Sequence, residues 1–562
     1  MLIPFAAFTI SLSGSFVWDD IHLISMEIHS LSGLSLFKSG GFYYRPVVGV
    51  TFLLDFLIWR WNPLGYHLTN VILHILCILL VFQLTKTLLN CHSEVESKAL
   101  LSFFTAIFFA VHPIHTESVA WIAGRTDILA TLFFLLAFLA YILFRKEKRP
   151  VALVLSFVFF FFSVGSKFIG VVFPIVVLIY ELILNKDRRG TLFSLLYLIP
   201  FVPYFLLRFN SFSLVERIIR LSLKGMTVTH FIQLFFSSVW FYLIKSIWPF
   251  PQNAFIGEVP AFYHPIVGMI LLVAIVWAVV KLDRGRLIKF WLAFFFVTLL
   301  PSLIPVYIKV VSTPLAERYL YLPSIAVCFL VSYVLVSFVE KQRAGVGRLL
   351  YRGAVTLLTL VTLAGGIASA KRSLVWKNEL SLWGDTVKKS PKFGKVHDNY
   401  GVALMEAGRL DEAEREFKLA LSPKVENTIT GRSNACVNLG NLYLRKGDLD
   451  KAGKIYREAL RFWRGNAVAY YNLGRLYLIK ATRTGKREER LRLLYLSRTA
   501  LGRALHINST FIEARLLLGK VYYYLGDSVR SLKEFETLIK QAPERKEAKE
   551  ARIWIEKIYK NM

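Results

Sequence analysis

Apolar stretches recur along the chain from its start to about residue 370, and they are candidates for membrane spans, although several are short and must extend into polar flanks. A helix crosses the hydrocarbon of a bilayer with about 20 apolar residues. The composition agrees, because 55% of the residues are hydrophobic and 15% are aromatic, which is too apolar for one soluble core. The pattern over residues 1–370 therefore predicts an all-α, multi-span membrane domain, with candidate spans at residues 64–89, 99–111, 128–144, 150–165, 168–184, 191–207, 264–281, 287–305, 320–339 and 350–370.

Loops rich in lysine and arginine set the predicted orientation. They are RKEKR at 145–149, NKDRR at 185–189, KLDRGRLIK at 281–289 and EKQRAGVGR at 340–348. Basic loops of membrane proteins stay in the cytoplasm, which works here only if the apolar segment 230–249 does not cross fully. That segment is predicted to be a re-entrant or interfacial helix. We expect about eleven crossings, with loop 14–63 and the tail on the non-cytoplasmic side; the alternative is about twelve, with one loop misassigned.

The opening stretch, residues 1–13, reaches only about 20 Å as a helix. Either it spans poorly, or an upstream piece is missing from the sequence. It lacks the basic region and the cleavage site of a signal peptide. A multi-pass protein of a bacterial inner membrane or an ER-like membrane is expected.

The net charge of +30 has two explanations. One is a surface for nucleic acid or anionic lipid. The other is cytoplasmic basic loops together with a solvated basic surface. The second is favoured, and no nucleic-acid partner is expected, because no nucleic-acid motif accompanies the charge. The cysteines lie far apart without metal-ligand spacing, so neither a zinc site nor a disulfide framework is predicted.

The tail after residue 370 is polar and repetitive. A glycine that follows Asn-Tyr, Asn-Leu or Leu-Leu recurs, and a second glycine comes seven residues later in most copies. The pattern resembles tetratricopeptide repeats, whose period is 34 residues. We predict repeats over residues 394–562 and a capping half-repeat or linker over 371–393. Such arrays present a concave surface to partner proteins, and a spacer without a ligand is the alternative. The first glycines are Gly401, Gly440, Gly474 and Gly519, and the second are Gly408, Gly447 and Gly526.

Ionisable and polar residues gather at span ends on the predicted non-cytoplasmic side. Each has a structural alternative: Asp19 or Asp20 could cap a helix, His67 and Asn70 could bond neighbouring helices, and Glu317 could belong to an interfacial anchor. A zinc site at HxxHxE matches no standard spacing. A transporter would instead carry its charges near the midplane. The candidate site residues are Asp19, Asp20, Arg45, His67, Asn70, His112, His115, Glu117, Arg125, Asp127, Lys167, Glu317 and Arg318.

Several of these residues lie in motifs that resemble a known family. FVWDD, YYRP, GYHLTNVILH, HPIHTESVAWIAGRTDILA, SK and AERYLYLPS, followed by tetratricopeptide repeats, are similar to the TMTC-type membrane O-mannosyltransferases and their bacterial relatives. The resemblance implies a GT-C fold, a polyprenyl-phosphate-linked sugar donor and a catalytic acid in the first far-side loop, at Asp19 or Asp20. One departure is Phe168, which follows Lys167 where the family usually has glutamate.

The resemblance and the residue pattern together predict a sugar transfer at the membrane surface. An acceptor hydroxyl needs a base, for which Asp20 is the first choice and Asp19 the second, and the sugar carbon is inverted. The donor phosphate needs cations, and the residues placed for this are Arg45, Arg125, Lys167 and Arg318. His112 and His115 would hydrogen-bond the substrates, and Glu117 and Asp127 would orient the cations.

The predicted acceptor is a protein hydroxyl, recruited by the repeats. The alternatives are a lipid or cell-surface glycan acceptor, or a non-enzymatic membrane scaffold. No tightly bound cofactor and no metal ligands are predicted, and the need for a divalent metal is left open.

Overall fold

The computed structural model describes residues 7–30, 45–93, 95–208, 216, 220, 222, 224–260, 262–281, 285–308, 313–345 and 348–560. Within these ranges the regular structure is helical, with two isolated β-bridges, so the predicted all-α class is confirmed. The chain divides into two compact units, Met1–Leu382 and Trp383–Met562. The predicted domain boundaries at 370 and 393 remain predictions. The opening stretch 1–13 and loop 14–63 lie partly outside the described residues.

The first unit begins with a 3₁₀ helix, Ile10–Ser13, and further 3₁₀ helices occupy Pro113–His115, Ile122–Gly124, Phe168–Val172 and Glu317–Leu320. A π-helix, Tyr180–Asn185, continues α8. The α-helices are α1 (Asp20–Ser30), α2 (Pro46–Trp59), α3 (Pro63–His92), α4 (Lys98–Val111), α5 (Thr116–Ala120), α6 (Arg125–Glu147), α7 (Pro150–Ser166), α8 (Phe173–Ile179), α9 (Leu192–Leu196), α10 (Leu198–Arg208), α11 (Val228–Ile247), α12 (Pro265–Lys281), α13 (Arg286–Tyr307), α14 (Ser324–Gly345), α15 (Arg348–Val375) and α16 (Glu379–Lys389), the last of which continues into the second unit.

Several of these helices start at a proline. Pro46, Pro63 and Pro150 each occupy the first helical position, where the missing N–H is not needed and the fixed φ suits the helix. Asn62 adds a side-chain cap to α3 by accepting a hydrogen bond from Leu64 N at 3.2 Å. Local sequence thus fixes where the long apolar helices begin.

Four helical stretches among the described residues are long and apolar enough to cross a membrane: Pro63–His92, Ile122–Glu147, Phe168–Asn185 and Arg286–Tyr307. Lys98–Val111 with Pro113–Ala120 would add one more if this pair, bent by 48°, were a single span. The predicted number of crossings and their orientation remain predictions. Segment 230–249 does form a helix, α11.

Hydroxyl groups connect the tightly packed helices α6 and α7. Ser156 donates to Ala137 O at 2.7 Å, and Ser163 donates to Ala130 O at 2.8 Å. All four residues are buried. Small side chains let helices approach closely in an apolar environment, and the hydroxyls find acceptors there. This pairing places the end of α7, where Lys167 lies, beside the start of α6.

The second unit is a series of antiparallel helix pairs. The pairs are α17 (Gly394–Glu406) with α18 (Leu410–Leu421), α19 (Ile429–Arg445) with α20 (Leu449–Phe462), α21 (Ala467–Arg483) with α22 (Arg487–Ile507), and α23 (Ile512–Tyr524) with α24 (Ser528–Gln541); α25 (Lys546–Lys560) follows. This is the helix order that the repeat pattern predicts.

The two kinds of repeated glycine have different physical roles. At Gly440 a Cβ atom would lie 2.4 Å from the Tyr456 ring, so only glycine lets the two helices of the pair approach this closely. At Gly447, φ is +80°, a left-handed conformation that ends α19 and that glycine adopts without a steric penalty. The predicted repeat signal therefore reports both helix contact and helix termination.

Candidate functional site

The two predicted catalytic acids lie at the start of α1 in unequal environments. Asp20 is buried, and both of its carboxylate oxygens accept backbone N–H groups, Oδ2 from Val17 and Oδ1 from Ala123, each at 2.9 Å. Burial raises the pKa of Asp20 to about 8, although these two hydrogen bonds lower it. Asp19 is half-buried. Asp20 therefore holds its loop against the start of α6, and Asp19 is the more accessible acid.

Three tryptophans stack beside Asp19. The Trp18 and Trp121 ring centroids are 5.3 Å apart with an interplanar angle of 24°, and Trp376 lies 6.4 Å and 6.0 Å from them. The Arg318 guanidinium lies 5.2 Å from the Trp121 ring centroid and 5.0 Å from that of Tyr319. The stack therefore connects the loop that carries Asp19, called here the acid-bearing loop, to Arg318, a cation that comes from a distant part of the chain.

Lys167 lies next to the same tyrosine. Its Nζ is 4.8 Å from the Tyr319 ring centroid and 2.6 Å and 2.7 Å from the two carboxylate oxygens of Asp127. Burial lowers the pKa of Lys167 to about 8; Asp127 opposes this effect, and the charges of Arg318 and Arg45 add to it. The positive charges of Arg318 and Arg45 therefore both act on Lys167.

Glu117 contacts Arg318 through both of its carboxylate oxygens. The backbone N–H of Arg318 donates to Glu117 Oε2 at 3.0 Å, and its guanidinium contacts Oε1. Both side chains are largely buried, at 13% and 3% exposure. Glu117 and Asp127 each contact one cation, and their predicted role in orienting the cations stays a prediction.

We call the resulting group the acid–cation cluster. It consists of Asp19, Trp18, Trp121, Glu117, Arg318, Tyr319, Lys167 and Asp127.

Arg125 lies outside this cluster and is completely buried. Its NH2 group is 2.5 Å from Asp55 Oδ2 and donates to Tyr66 O at 2.9 Å, while Nε donates to Asn70 Oδ1 at 2.7 Å. Asn70 in turn donates to three backbone carbonyl oxygens between Val119 and Ile122. The guanidinium thus bonds to groups of the protein itself. Such an environment is typical of a structural ion pair rather than of a cation that binds a ligand.

Two of the predicted histidines, His112 and His115, form hydrogen bonds with other parts of the protein. His112 Nε2 lies 3.1 Å from Ser246 O, and His115 Nε2 lies 2.8 Å from Ser324 Oγ. His67 is buried against Gly14, where an added Cβ would lie 2.9 Å from Nε2. His115 is buried, and His112 retains partial exposure. These contacts join helix ends to one another.

The remaining predicted residues take separate positions. Glu317 is buried and lies 3.1 Å from Lys245 Nζ, at the end of α11, and it accepts the Asn253 N–H at 3.1 Å. Burial is the main cause of the raised pKa of Glu317, and Lys245 opposes it. Arg45 precedes α2, half-buried. It is close enough to Glu27 to oppose the rise of that buried carboxyl's pKa to about 7.

Sequence reasoning did not include several residues that complete these contacts. Their signals were weak, because an acid within an apolar helix or after the last span has no defined partner until the fold is known. The residues that were not included are Trp18, Glu27, Asp55, Trp121, Lys245, Tyr319, Trp376 and Glu379.

No group of three or more His, Cys, Asp or Glu side chains with metal-binding geometry occurs in the part of the chain that the structure describes. The acid–cation cluster can instead supply a base at Asp19, cations at Arg318 and Lys167, and aromatic faces between them. Anions and sugar rings are the ligands that such groups recognise.

Comparisons with known proteins agree with the resemblance found in the sequence. A tetratricopeptide repeat family model matches residues 433–462. The chain is 26% identical to a protein O-mannosyl-transferase of Caenorhabditis elegans (F38B6.6), over 74% of this chain and 61% of that protein. It is 27% identical to protein O-mannosyl-transferase TMTC1 of Homo sapiens, over 71% of this chain and 49% of that protein. Among solved structures, a tetratricopeptide repeat protein of Thermus thermophilus matches 30% of this chain and is covered to 82%, at 20% identity and a TM-score of 0.25.

The resemblance to the O-mannosyl-transferases and the tetratricopeptide repeats are thereby confirmed. The chain spans about half to three-fifths of the length of these curated relatives.

Proposed function

We propose that this relative of the TMTC-type protein O-mannosyl-transferases is an integral-membrane, inverting glycosyltransferase of the GT-C type. It moves mannose, or another hexose, from a polyprenyl-phosphate donor to a protein hydroxyl on the non-cytoplasmic side of the membrane. The observation that carries the proposal is the acid–cation cluster, in which a half-buried acid is joined through stacked rings to two cations. The names of the curated relatives support the reaction class.

Asp19 is the base in this proposal, which reverses the order of choice predicted from the sequence. A base must be ionised and must reach the acceptor O–H. Asp20 meets neither condition well, because burial raises its pKa and both oxygens already accept backbone N–H groups. Asp20 then positions the loop that carries Asp19.

Arg318 and Lys167 bind the donor phosphate. Arginine offers a planar set of N–H donors to phosphate oxygens, and lysine offers a point charge. Glu117 keeps Arg318 in place, and Asp127 keeps Lys167 in place. The side chains of these two cations are 13% and 15% exposed, respectively. Arg45 adds positive charge near Lys167. Arg125 is left out of the donor site, because its guanidinium is committed to Asp55, Asn70 and Tyr66.

The reaction is a single displacement. The acceptor oxygen forms a bond to the anomeric carbon as Asp19 takes its proton, and the bond from that carbon to the phosphate oxygen breaks. The leaving group is already an anion, so it requires charge stabilisation by the cations rather than a general acid.

The repeats recruit the acceptor protein and raise its effective concentration at the membrane. A lipid or glycan acceptor is the second candidate, and a scaffold without enzymatic activity is the third. The Trp–Arg–Lys arrangement favours an enzyme over a scaffold, since a scaffold has no need for fixed cations that are joined through stacked rings to a half-buried acid.

The direct test is transfer from a labelled donor. The full chain in nanodiscs is incubated with polyprenyl-phosphate [³H]mannose and a cell extract, and label in protein, lipid and glycan fractions is counted. Asp19→Asn should lower transfer by about 100-fold or more while donor binding persists. Asp411→Asn, an exposed acid in the repeats, is the matched control. Wild-type transfer by Asp19→Asn would contradict the mechanism, and label found only in lipid or glycan would favour the second candidate.

A further inference from the structure

The segment that follows α15 contacts the acid-bearing loop directly. Ser15 N donates to Lys377 O at 2.8 Å, and Ser15 Oγ approaches the same oxygen at 3.1 Å. Trp18 N donates to the Glu379 carboxylate at 2.6 Å. The paired residues are 361 to 362 positions apart in the chain. Two side-by-side contacts between such distant segments form a defined junction within the first unit.

The contact with Glu379 falls on a residue in an unusual conformation. Trp18 has φ of +59°, in the left-handed region that bulky side chains disfavour. Such a conformation persists only where the surroundings fix it. Here its ring stacks on Trp121 and Trp376, and its N–H points to Glu379. The ring is thus held by Trp121 and Trp376, and the backbone N–H by Glu379.

The neighbouring backbone donors of the loop are satisfied locally. Val17 N donates to Asp20 Oδ2, and Asp20 N donates to Val17 O at 3.1 Å. The Trp18 N–H lies between them and is directed out of the loop to Glu379. Loss of that acceptor would let Trp18 return to an ordinary φ, and the direction of Asp19, the next residue, would change with it.

We propose that Glu379 is a positioning residue for Asp19, acting through the Trp18 N–H. This inference rests on the proposed function, in which Asp19 is the base. Glu379 has an alternative role that involves no catalysis: it is the first residue of α16, where a negative charge favours the helix dipole.

Two conservative variants separate these roles. Glu379→Gln keeps the length and a carbonyl acceptor for the Trp18 N–H but removes the charge. Glu379→Asp keeps the charge but is one methylene shorter, and aspartate is at least as suitable at a helix start. If Glu379 positions Trp18, the Gln variant should be the more active of the two. If Glu379 acts only through the helix dipole, the Asp variant should be the more active.

The experiment measures kcat and donor KM of the full chain in nanodiscs with polyprenyl-phosphate [³H]mannose. We expect Glu379→Asp to lower kcat by at least about tenfold with donor KM within about twofold, and Glu379→Gln to keep kcat within about threefold of wild type. Asp385→Ala, on the same helix and paired with Lys389, is the control and should match wild type.

A near-ultraviolet circular dichroism spectrum of each variant adds a readout that does not depend on turnover. The signal of the stacked tryptophans, identified by comparison with Trp18→Phe, should fall in Glu379→Asp and persist in Glu379→Gln. Equal kcat values for the Gln and Asp variants, or a better Asp variant, would overturn the proposal. An inactive wild type would contradict the proposed function, and the spectra would still decide whether Glu379 positions Trp18.

Discussion

At the scale of single residues, adjacent side chains of the same type do different work because their surroundings differ. Asp20 is enclosed by backbone donors, whereas Asp19, one position earlier, is half-buried beside a tryptophan stack. Arg125 and Arg318 differ in the same way. Arg125 completes a buried ion pair, and Arg318 lies over the Trp121 and Tyr319 rings with 13% of its side chain exposed.

The raised pKa of Asp20 gives a pH-dependent stability. Its folded-state pKa of about 8 lies above the ordinary value of 3.8, so the folded chain holds a proton that the unfolded chain releases between these values. The stabilisation is complete below about pH 4 and is lost as pH rises toward 8. The thermal midpoint in detergent should therefore fall over this range in wild type and fall less in Asp20→Asn. Asp411→Asn is the control; parallel curves for wild type and Asp20→Asn would contradict the assignment.

Replacing Arg125 should harm folding rather than donor binding. Arg125→Met leaves Asp55 buried without its cation, which costs about 3–5 kcal/mol, and the folded yield should fall. The double variant Asp55→Leu, Arg125→Met removes both charges and should recover much of that yield. Size-exclusion profiles and thermal midpoints measure this. A folded Arg125→Met with weakened donor binding would restore the role predicted from the sequence.

At the scale of helices, contacts within the repeats depend on glycines that differ in what they touch. Gly440→Ala places a Cβ atom 2.4 Å from the Tyr456 ring, and overpacking of this kind typically costs about 1–3 kcal/mol. Gly502, within α22, has no atom within 4 Å of an added Cβ, so Gly502→Ala should be neutral or stabilising by about 0.5–1 kcal/mol. Thermal unfolding of residues 383–562 by circular dichroism tests the pair; equal midpoints would show that the close approach is unimportant.

The repeats and the long apolar helices could be predicted from sequence because their signals are local. A glycine at Gly447 ends a helix and a proline at Pro150 starts one, whatever lies elsewhere in the chain. The contacts around Trp18 and Trp121 could not be predicted this way. Trp121, Arg318 and Glu379 come from three segments that are far apart in the chain, and only the packing of the intervening helices decides which of these segments meet. The grouping of ionisable residues at span ends indicated which loops carry the candidate site. It did not indicate which cation would form an ion pair with Asp55.

At the scale of the whole molecule, the proposal separates chemistry from recruitment. A chain ending at Lys389 keeps Glu379 and lacks the repeats, and a chain ending at Val375 lacks both. The first should retain donor hydrolysis or transfer to a short acceptor peptide while losing modification of the natural acceptor. The second should lose donor turnover as well. Labelled-donor assays on the two truncations, with folding checked by size exclusion, test this. Equal turnover by the two chains would contradict a role for Glu379, and loss of turnover by both would contradict the division of labour.

The junction between residues 15–18 and 377–379 also bears on how the protein is made. The acid-bearing loop leaves the ribosome near the start of synthesis, but its partners follow only 361 to 362 residues later. At roughly 5–20 residues per second, that delay is about 20–70 s. During this time the Trp18 N–H lacks its Glu379 acceptor, so the direction of Asp19 is not yet fixed. On the proposed function, a nascent chain would meet the donor lipid before Asp19 is positioned to use it, and sugar transfer would begin only after residues 377–379 had been synthesised.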